Sequence, residues 1–86
     1  MQIHYSKRFL RQFQKLPSKK QLRVKAAFRL LLEDSDAPTL RRHQLHGEWH
    51  EHYSISAGGD MRLHYKQVTA DTIMFVAVGT HSQLYK

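Results

Sequence analysis

Cysteine is absent from the sequence, which excludes disulfide frameworks, thiol nucleophiles and thiolate zinc sites. Long hydrophobic runs are missing too: no stretch approaches the roughly 20 apolar residues that span a bilayer. Met1-Gln2-Ile3-His4-Tyr5 lacks the apolar core of a signal peptide, so a cytoplasmic location is expected. Proline occurs twice and glycine four times, and neither a low-complexity stretch nor an internal repeat is found. Acidic residues are missing from the first 32 positions; the first is Glu33.

The charge that remains is strongly one-sided. Among 86 residues, 14 Lys+Arg stand against 7 Asp+Glu, a formal net charge of +7. Such an excess favours a polyanionic partner, most simply nucleic acid. Nine of the basic residues precede Glu33: Lys7, Arg8, Arg11, Lys15, Lys19, Lys20, Arg23, Lys25 and Arg29. A chain of this length makes one domain, residues 1–86, with a small core.

Two periods divide the chain. Phe9, Leu10, Phe13 and Leu16 recur at helical spacing, with Ser6 as N-cap and Pro17 as stop. Ser18 and Gln21 have the spacing of a capping box for a second helix. Its buried face is expected at Leu22, Val24, Ala27, Phe28, Leu31 and Leu32, and Asp34-Ser35-Asp36-Ala37-Pro38 ends it. From Trp49 the pattern alternates through Ser56, the signature of a strand. Ala57-Gly58-Gly59-Asp60 reads as a hairpin turn. Met61–Lys66 and Thr72–Val78 then read as strands joined at Thr69-Ala70-Asp71, and Ile3-His4-Tyr5 as a short strand before the first helix. The expected architecture is α+β, in the order β-α-α-β-β-β. A two-helix hairpin packs on a small antiparallel sheet.

Seven histidines, six of them at or after position 43, are the other conspicuous feature. Imidazole exchanges protons near neutral pH and also binds metals. An H-x-H pair, His50 and His52, with His64 on the partner strand, is one conceivable zinc set; a polar sheet surface is the plainer account. A second set is His43 after the helices, Asp60 and Arg62 at the hairpin, and His81 and Tyr85 past the last strand. RNA transesterification needs such groups: a base for the 2′-hydroxyl, an acid for the departing 5′-oxygen, and a cation for the phosphorane. Each also has a bland reading as a turn, strand-end or solvated residue. Trp49 and Tyr53 read as core anchors, whereas Tyr85, next to the C-terminus, is harder to place in a core.

His43-Gln44-Leu45-His46-Gly47-Glu48-Trp49 resembles the H-x-L-x-G-x-W/L signature of RelE/ParE-superfamily toxins of the YafQ-like type. Gly59-Asp60-Met61-Arg62-Leu63-His64-Tyr65 resembles their G-D-Y-R-hydrophobic-x-Y/F strand. Val78-Gly79-Thr80-His81-Ser82-Gln83-Leu84-Tyr85 resembles the closing G-T/S-H-x-x-L/V-Y/F motif. The resemblance covers essentially the whole chain. It implies a bacterial type II toxin that cleaves mRNA in the ribosomal A site and is neutralised by a cognate antitoxin, with no metal, cofactor, membrane or small-molecule ligand. By motif position His43, Asp60, His81 and Tyr85 would be the catalytic set, and Arg62 would stabilise the phosphorane. His81 and His43 would act as complementary proton donor and acceptor, Asp60 would orient or charge one imidazole, and Tyr85 would position a nucleotide. The basic helices, with Arg41 and Arg42, would grip ribosomal RNA. YafQ-like members carry a further histidine and an arginine where this chain has Ser56 and Ala77; Arg62 is then the residue expected to compensate. The alternative on the same scaffold is a ParE-like gyrase inhibitor or a silent nucleic-acid binder.

Overall fold

The computed structural model describes residues 1–85. Its elements run β1 (Gln2–Tyr5), α1 (Lys7–Gln14), α2 (Ser18–Glu33), β2 (His43–Gln44), β3 (His52–Ser56), β4 (Met61–Thr69), β5 (Thr72–Thr80) and α3 (His81–Leu84). Five strands form one sheet in the order β1-β5-β4-β3-β2. The expected α+β hairpin-on-sheet architecture is present, with two added elements, β2 and α3. One pairing departs from antiparallel order: β1 runs parallel to β5, Ile3 opposite Ile73, because the chain crosses over the sheet through both helices before returning.

Helix α1 starts where the sequence indicates. The Ser6 hydroxyl accepts from the Phe9 N–H at 2.9 Å and donates to the Val76 carbonyl at 2.8 Å. A single side chain thus caps the helix and closes part of the β5 edge beyond β1. Gln12 continues this, its Oε1 accepting from the Val78 N–H at 2.9 Å. Ser6→Ala removes both bonds, and loss of a cap alone costs about 1 kcal/mol. We expect it to lower the thermal midpoint by roughly 4–8 °C; an unchanged melting curve would show that water replaces the hydroxyl without cost.

Helix α2 corrects two expectations. Ser18 is the first helical residue, Pro17 occupies the cap position, and no side chain caps the helix. Proline's fixed φ suits a helix entrance and leaves Ser18 no capping role. Gln21, freed from a capping box, donates from Nε2 to the Phe13 carbonyl at 3.0 Å and ties the two helices together. Val24, Ala27 and Leu31 are buried as expected and Phe28 partly so, but Leu22 and Leu32 are 64% and 50% exposed. The sheet is only wide enough to cover one narrow stripe of the helix. Leu10 of α1 is left exposed in the same way.

The core lies between the helices and one sheet face. Phe9, Phe28 and Phe75 meet there, Phe28 and Phe75 with ring centroids 4.4 Å apart. Ile55, Leu63, Tyr65 and Ile73 complete it from the sheet. Strand β3 begins at His52 rather than Trp49, because Gly47–Trp49 form a turn of 3₁₀ helix and Glu51 takes a left-handed φ of 70°. Gly58 and Gly59 turn the hairpin with φ of 92° and 54°, where a side chain would be strained.

Candidate active site

Period-two alternation decides which side chains leave the core. In β4, Met61, Leu63 and Tyr65 point to the helices, so Arg62 and His64 point to the opposite face. The ladder extends that face across the sheet: His43 lies opposite Ser54, Ser54 opposite His64, and His64 opposite Ala77. A row therefore runs His43, Ser54, His64, Ala77 over four strands. Next to it runs Ser56, Arg62, Gly79.

His64 is the hub of this face and is completely buried. The Trp49 indole lies edge-on to it at 4.4 Å, and the Tyr85 ring packs at 5.3 Å. Neither ring nitrogen has a hydrogen-bond partner among the described residues. Burial pushes its pKa down to about 4, and the charges of His52, Arg8, His43 and His81 push the same way. His64 is thus a neutral ring among basic side chains. Of the imidazoles singled out from the sequence, His43 lies two strands away in the same row, and His81 packs on Tyr85, which packs on His64.

His43 is exposed on the outermost strand, and its Nδ1 lies 2.9 Å from the Arg41 carbonyl. A carbonyl only accepts, so Nδ1 carries the hydrogen, and in the neutral ring it is Nε2 that presents the lone pair. His52 is arranged likewise, Nδ1 to the His50 carbonyl at 3.1 Å. His81 opens α3, with its ring 4.5 Å from that of Tyr85. Thr80 and Gln83 form a full capping box for this helix. Leu84 anchors it by burial, and the Leu84 carbonyl accepts from Trp49 Nε1 at 3.2 Å. Arg8 of α1 stacks on the outer face of Trp49 at 5.3 Å. Burial raises the Tyr85 hydroxyl pKa, against the charge of Arg62.

Gly79 is the seat of α3. A Cβ there would stand 2.9 Å from Gln83 Oε1 and 3.4 Å from Gln83 Cβ. Gly79→Ala therefore disrupts the capping box that holds His81 in place. We expect a fall in stability of about 1 kcal/mol and faster amide exchange in residues 81–84; protection equal to wild type in that segment would refute it.

The remaining sequence-derived residues are placed unevenly. Arg62 is tethered at the hairpin, donating to the Gly59 and Met61 carbonyls at 2.9 and 3.0 Å and to Ser56 Oγ at 3.3 Å. Asp60 is exposed in the turn and makes no hydrogen bond or ion pair among the described residues. The expected contact between Asp60 and an imidazole is not made. Arg42 is already engaged, with Asp36 at 2.9 Å, the Ser35 carbonyl and the Tyr53 ring. Arg41 is exposed. Lys7, Arg8, Arg11, Lys15, Lys19, Lys20 and Arg23 are exposed on the helices, but they do not share one surface. Arg8 reaches the histidine face, whereas Arg23 lines a hollow on the helix side with Leu30, Leu40 and Gly58.

Sequence reasoning missed the roles of Trp49 and His64. The period-two alternation of Arg62, His64 and Lys66 marked the correct face, but nothing local shows that α3 and the 47–49 turn fold over its centre. Tyr53 does pack into the core, stacked on Tyr65 at 5.4 Å. No group of three potential metal ligands occurs among the described residues. The His50/His52/His64 set fails because His50 precedes β3, across the left-handed Glu51. No helix among the described residues is long and apolar enough to cross a membrane.

A two-helix hairpin on a five-stranded sheet, with histidines on and beside the sheet face turned away from the helices, defines a small toxin of the RelE superfamily. The profile of one family, "Bacterial toxin of type II toxin-antitoxin system, YafQ", matches residues 1–86. The chain belongs to that YafQ family, as a toxin of a toxin–antitoxin system. Among solved structures, YafQ from E. coli strain BL21(DE3) is 25% identical with a TM-score of 0.80, over 98% of this chain and 97% of that one. YafQ in the E. coli DinJ–YafQ toxin–antitoxin complex is 26% identical with a TM-score of 0.77, over 98% and 96%. A YoeB/ParE toxin from Agrobacterium tumefaciens, 12% identical with a TM-score of 0.77 over 94% and 99%, shares the fold. Comparison with curated protein sequences gives no match.

Proposed function

We propose that this toxin is a ribosome-dependent endoribonuclease, cutting mRNA in the A site by attack of the substrate's own 2′-hydroxyl. The observation that supports the reading is that His43 shares a row of the sheet with His64, two strands away, while His81 packs on Tyr85, whose ring packs on His64. His43 Nε2 takes the 2′-hydroxyl proton, and the resulting oxygen attacks phosphorus. His81, as imidazolium, gives a proton to the 5′-oxygen as its bond to phosphorus breaks. The products are a 2′,3′-cyclic phosphate and a 5′-hydroxyl. Arg62 neutralises charge on the phosphorane, and its three tethers hold it in place for that task. Tyr85, packed at a tilt against His81, would contact the nucleotide at the cut. The nucleophile belongs to the substrate, so the chemistry calls for no metal. Asp60, without an imidazole partner, acts through its charge at the hairpin end and not as an orienting hydrogen-bond acceptor.

A cognate antitoxin completes the reading. The related E. coli toxin is found in complex with DinJ. An acidic segment covering the cationic histidine face of this chain would block substrate. Translating a defined mRNA with wild type and with His81→Ala tests the proposal. We expect codon-phased cleavage with wild type and none with the variant. Intact mRNA with wild type, together with gyrase-linked DNA breaks, would establish the non-nucleolytic alternative. The missing arginine and histidine at Ala77 and Ser56 are what favour that second reading.

A further inference from the structure

A cleft of about 440 Å³ opens between α1 and α3, beside the outer end of β5. Arg8, Gln12, Lys15, Leu16, Val78 and Gln83 line it, and no carboxylate is among these lining residues. The two glutamines give the cleft its character. Gln12 Oε1 accepts from the Val78 N–H at 2.9 Å, and Gln83 Oε1 accepts from the Thr80 N–H at 2.8 Å. A backbone N–H can only donate, so the oxygen of each carboxamide must face β5. Each Nε2 is therefore turned away from the strand, and neither makes a hydrogen bond among the described residues. Two oriented NH₂ groups, a guanidinium and an ammonium thus line one hollow. Arg8 is steadied there by the Trp49 ring, and Gln83 belongs to the helix that begins with His81.

We propose that this cleft is a phosphate subsite for a single-stranded RNA segment flanking the cut, with Gln12 and Gln83 as its neutral donors. Planar amide donors beside a guanidinium suit the oxygens of a phosphodiester. The proposal rests on the RNA-binding part of the functional reading and not on its chemistry. Glutamate is the discriminating substitution. In Gln12→Glu a carboxylate oxygen still accepts from the Val78 N–H, and in Gln83→Glu the capping box survives. Each variant keeps the fold and turns a donor into an anion.

Binding of a fluorescein-labelled single-stranded oligoribonucleotide about ten nucleotides long is measured on a His81→Ala background, so that the probe survives. We expect Gln12→Glu and Gln83→Glu each to weaken binding at least about tenfold and to flatten the log–log salt slope by about 0.7. Gln2→Glu makes the same charge change about 20 Å away along the sheet and should leave affinity within about twofold. Equal losses in Gln12→Glu and Gln2→Glu would overturn the subsite, as would weakened binding of an oligoglutamate peptide with RNA affinity unchanged. If wild type fails to cut mRNA on the ribosome while Gln12→Glu loses RNA affinity, the nuclease reading falls and the subsite stands.

Discussion

Replacing His43 or His81 with alanine is expected to slow mRNA cleavage roughly 100- to 10,000-fold each, the usual span for a lost proton-transfer group. The two variants should differ in pH dependence. The base must be unprotonated, so His43→Ala loses the limb along which wild-type cleavage rises with pH. The acid must be protonated, so His81→Ala loses the limb along which cleavage falls. Because the two groups act in one transition state, the double variant should be little slower than the worse single one. Single-turnover cleavage of a ribosome-bound message, followed across neutral pH, separates these cases. If both variants keep a full bell-shaped profile, other groups move the protons. If the two limbs disappear in the opposite order, the roles are exchanged; the tautomer held by the Arg41 carbonyl argues for His43 as base.

Acid should destabilise the folded toxin through His64. Its pKa is about 4 in the folded state against 6.5 for a free imidazole. Above pH 6.5 the ring is neutral in both states and contributes no pH dependence. As pH falls from 6.5 towards 4 the unfolded chain takes up a proton that the folded chain refuses. Unfolding free energy then drops by about 1.4 kcal/mol per pH unit, about 3 kcal/mol in all. Below pH 4 both states are protonated and the loss levels off. His64→Phe keeps a ring against Trp49 and Tyr85 and removes two unpaired nitrogens. It should abolish this slope and be at least as stable as wild type at neutral pH. Urea unfolding at several values between about pH 7.5 and pH 4 decides it: parallel curves for the two proteins would mean that His64 is not protected from protons.

The sequence carries the helices and hairpins plainly because their signals are local. Apolar spacing from Phe9 to Leu16, the Ser6 cap and the Gly58-Gly59 turn each depend on neighbours a few residues away. The parallel docking of β1 on β5 depends on partners some 70 positions apart, and three residues of strand cannot encode its direction. Helix α3 was legible only as a motif, since four residues make too short a run for periodicity. The site follows the same division. His43 and Arg62 lie on one face of the sheet, and His81 follows directly from the last strand at the start of α3. Whether a polar strand face meets solvent or a covering segment is decided by distant chain. The central imidazole of that face therefore looked solvated in sequence and is sealed in the structure. Trp49 shows the converse: an aromatic that reads as core is half-buried, donating to α3 and stacked by Arg8. Asp60 matches its motif yet makes no contact with an imidazole, which a motif alone cannot reveal.

The way β5 is finished has a consequence for how copies of the toxin behave in company. One half of its outer rim is occupied by β1, and the other is stitched shut by side chains of Ser6 and Gln12. At the opposite rim β2 offers only two residues. Among the described residues these two rims offer no long row of vacant amides to another chain, and the surplus positive charge repels one. Edge-to-edge pairing into cross-β fibrils is disfavoured by that geometry.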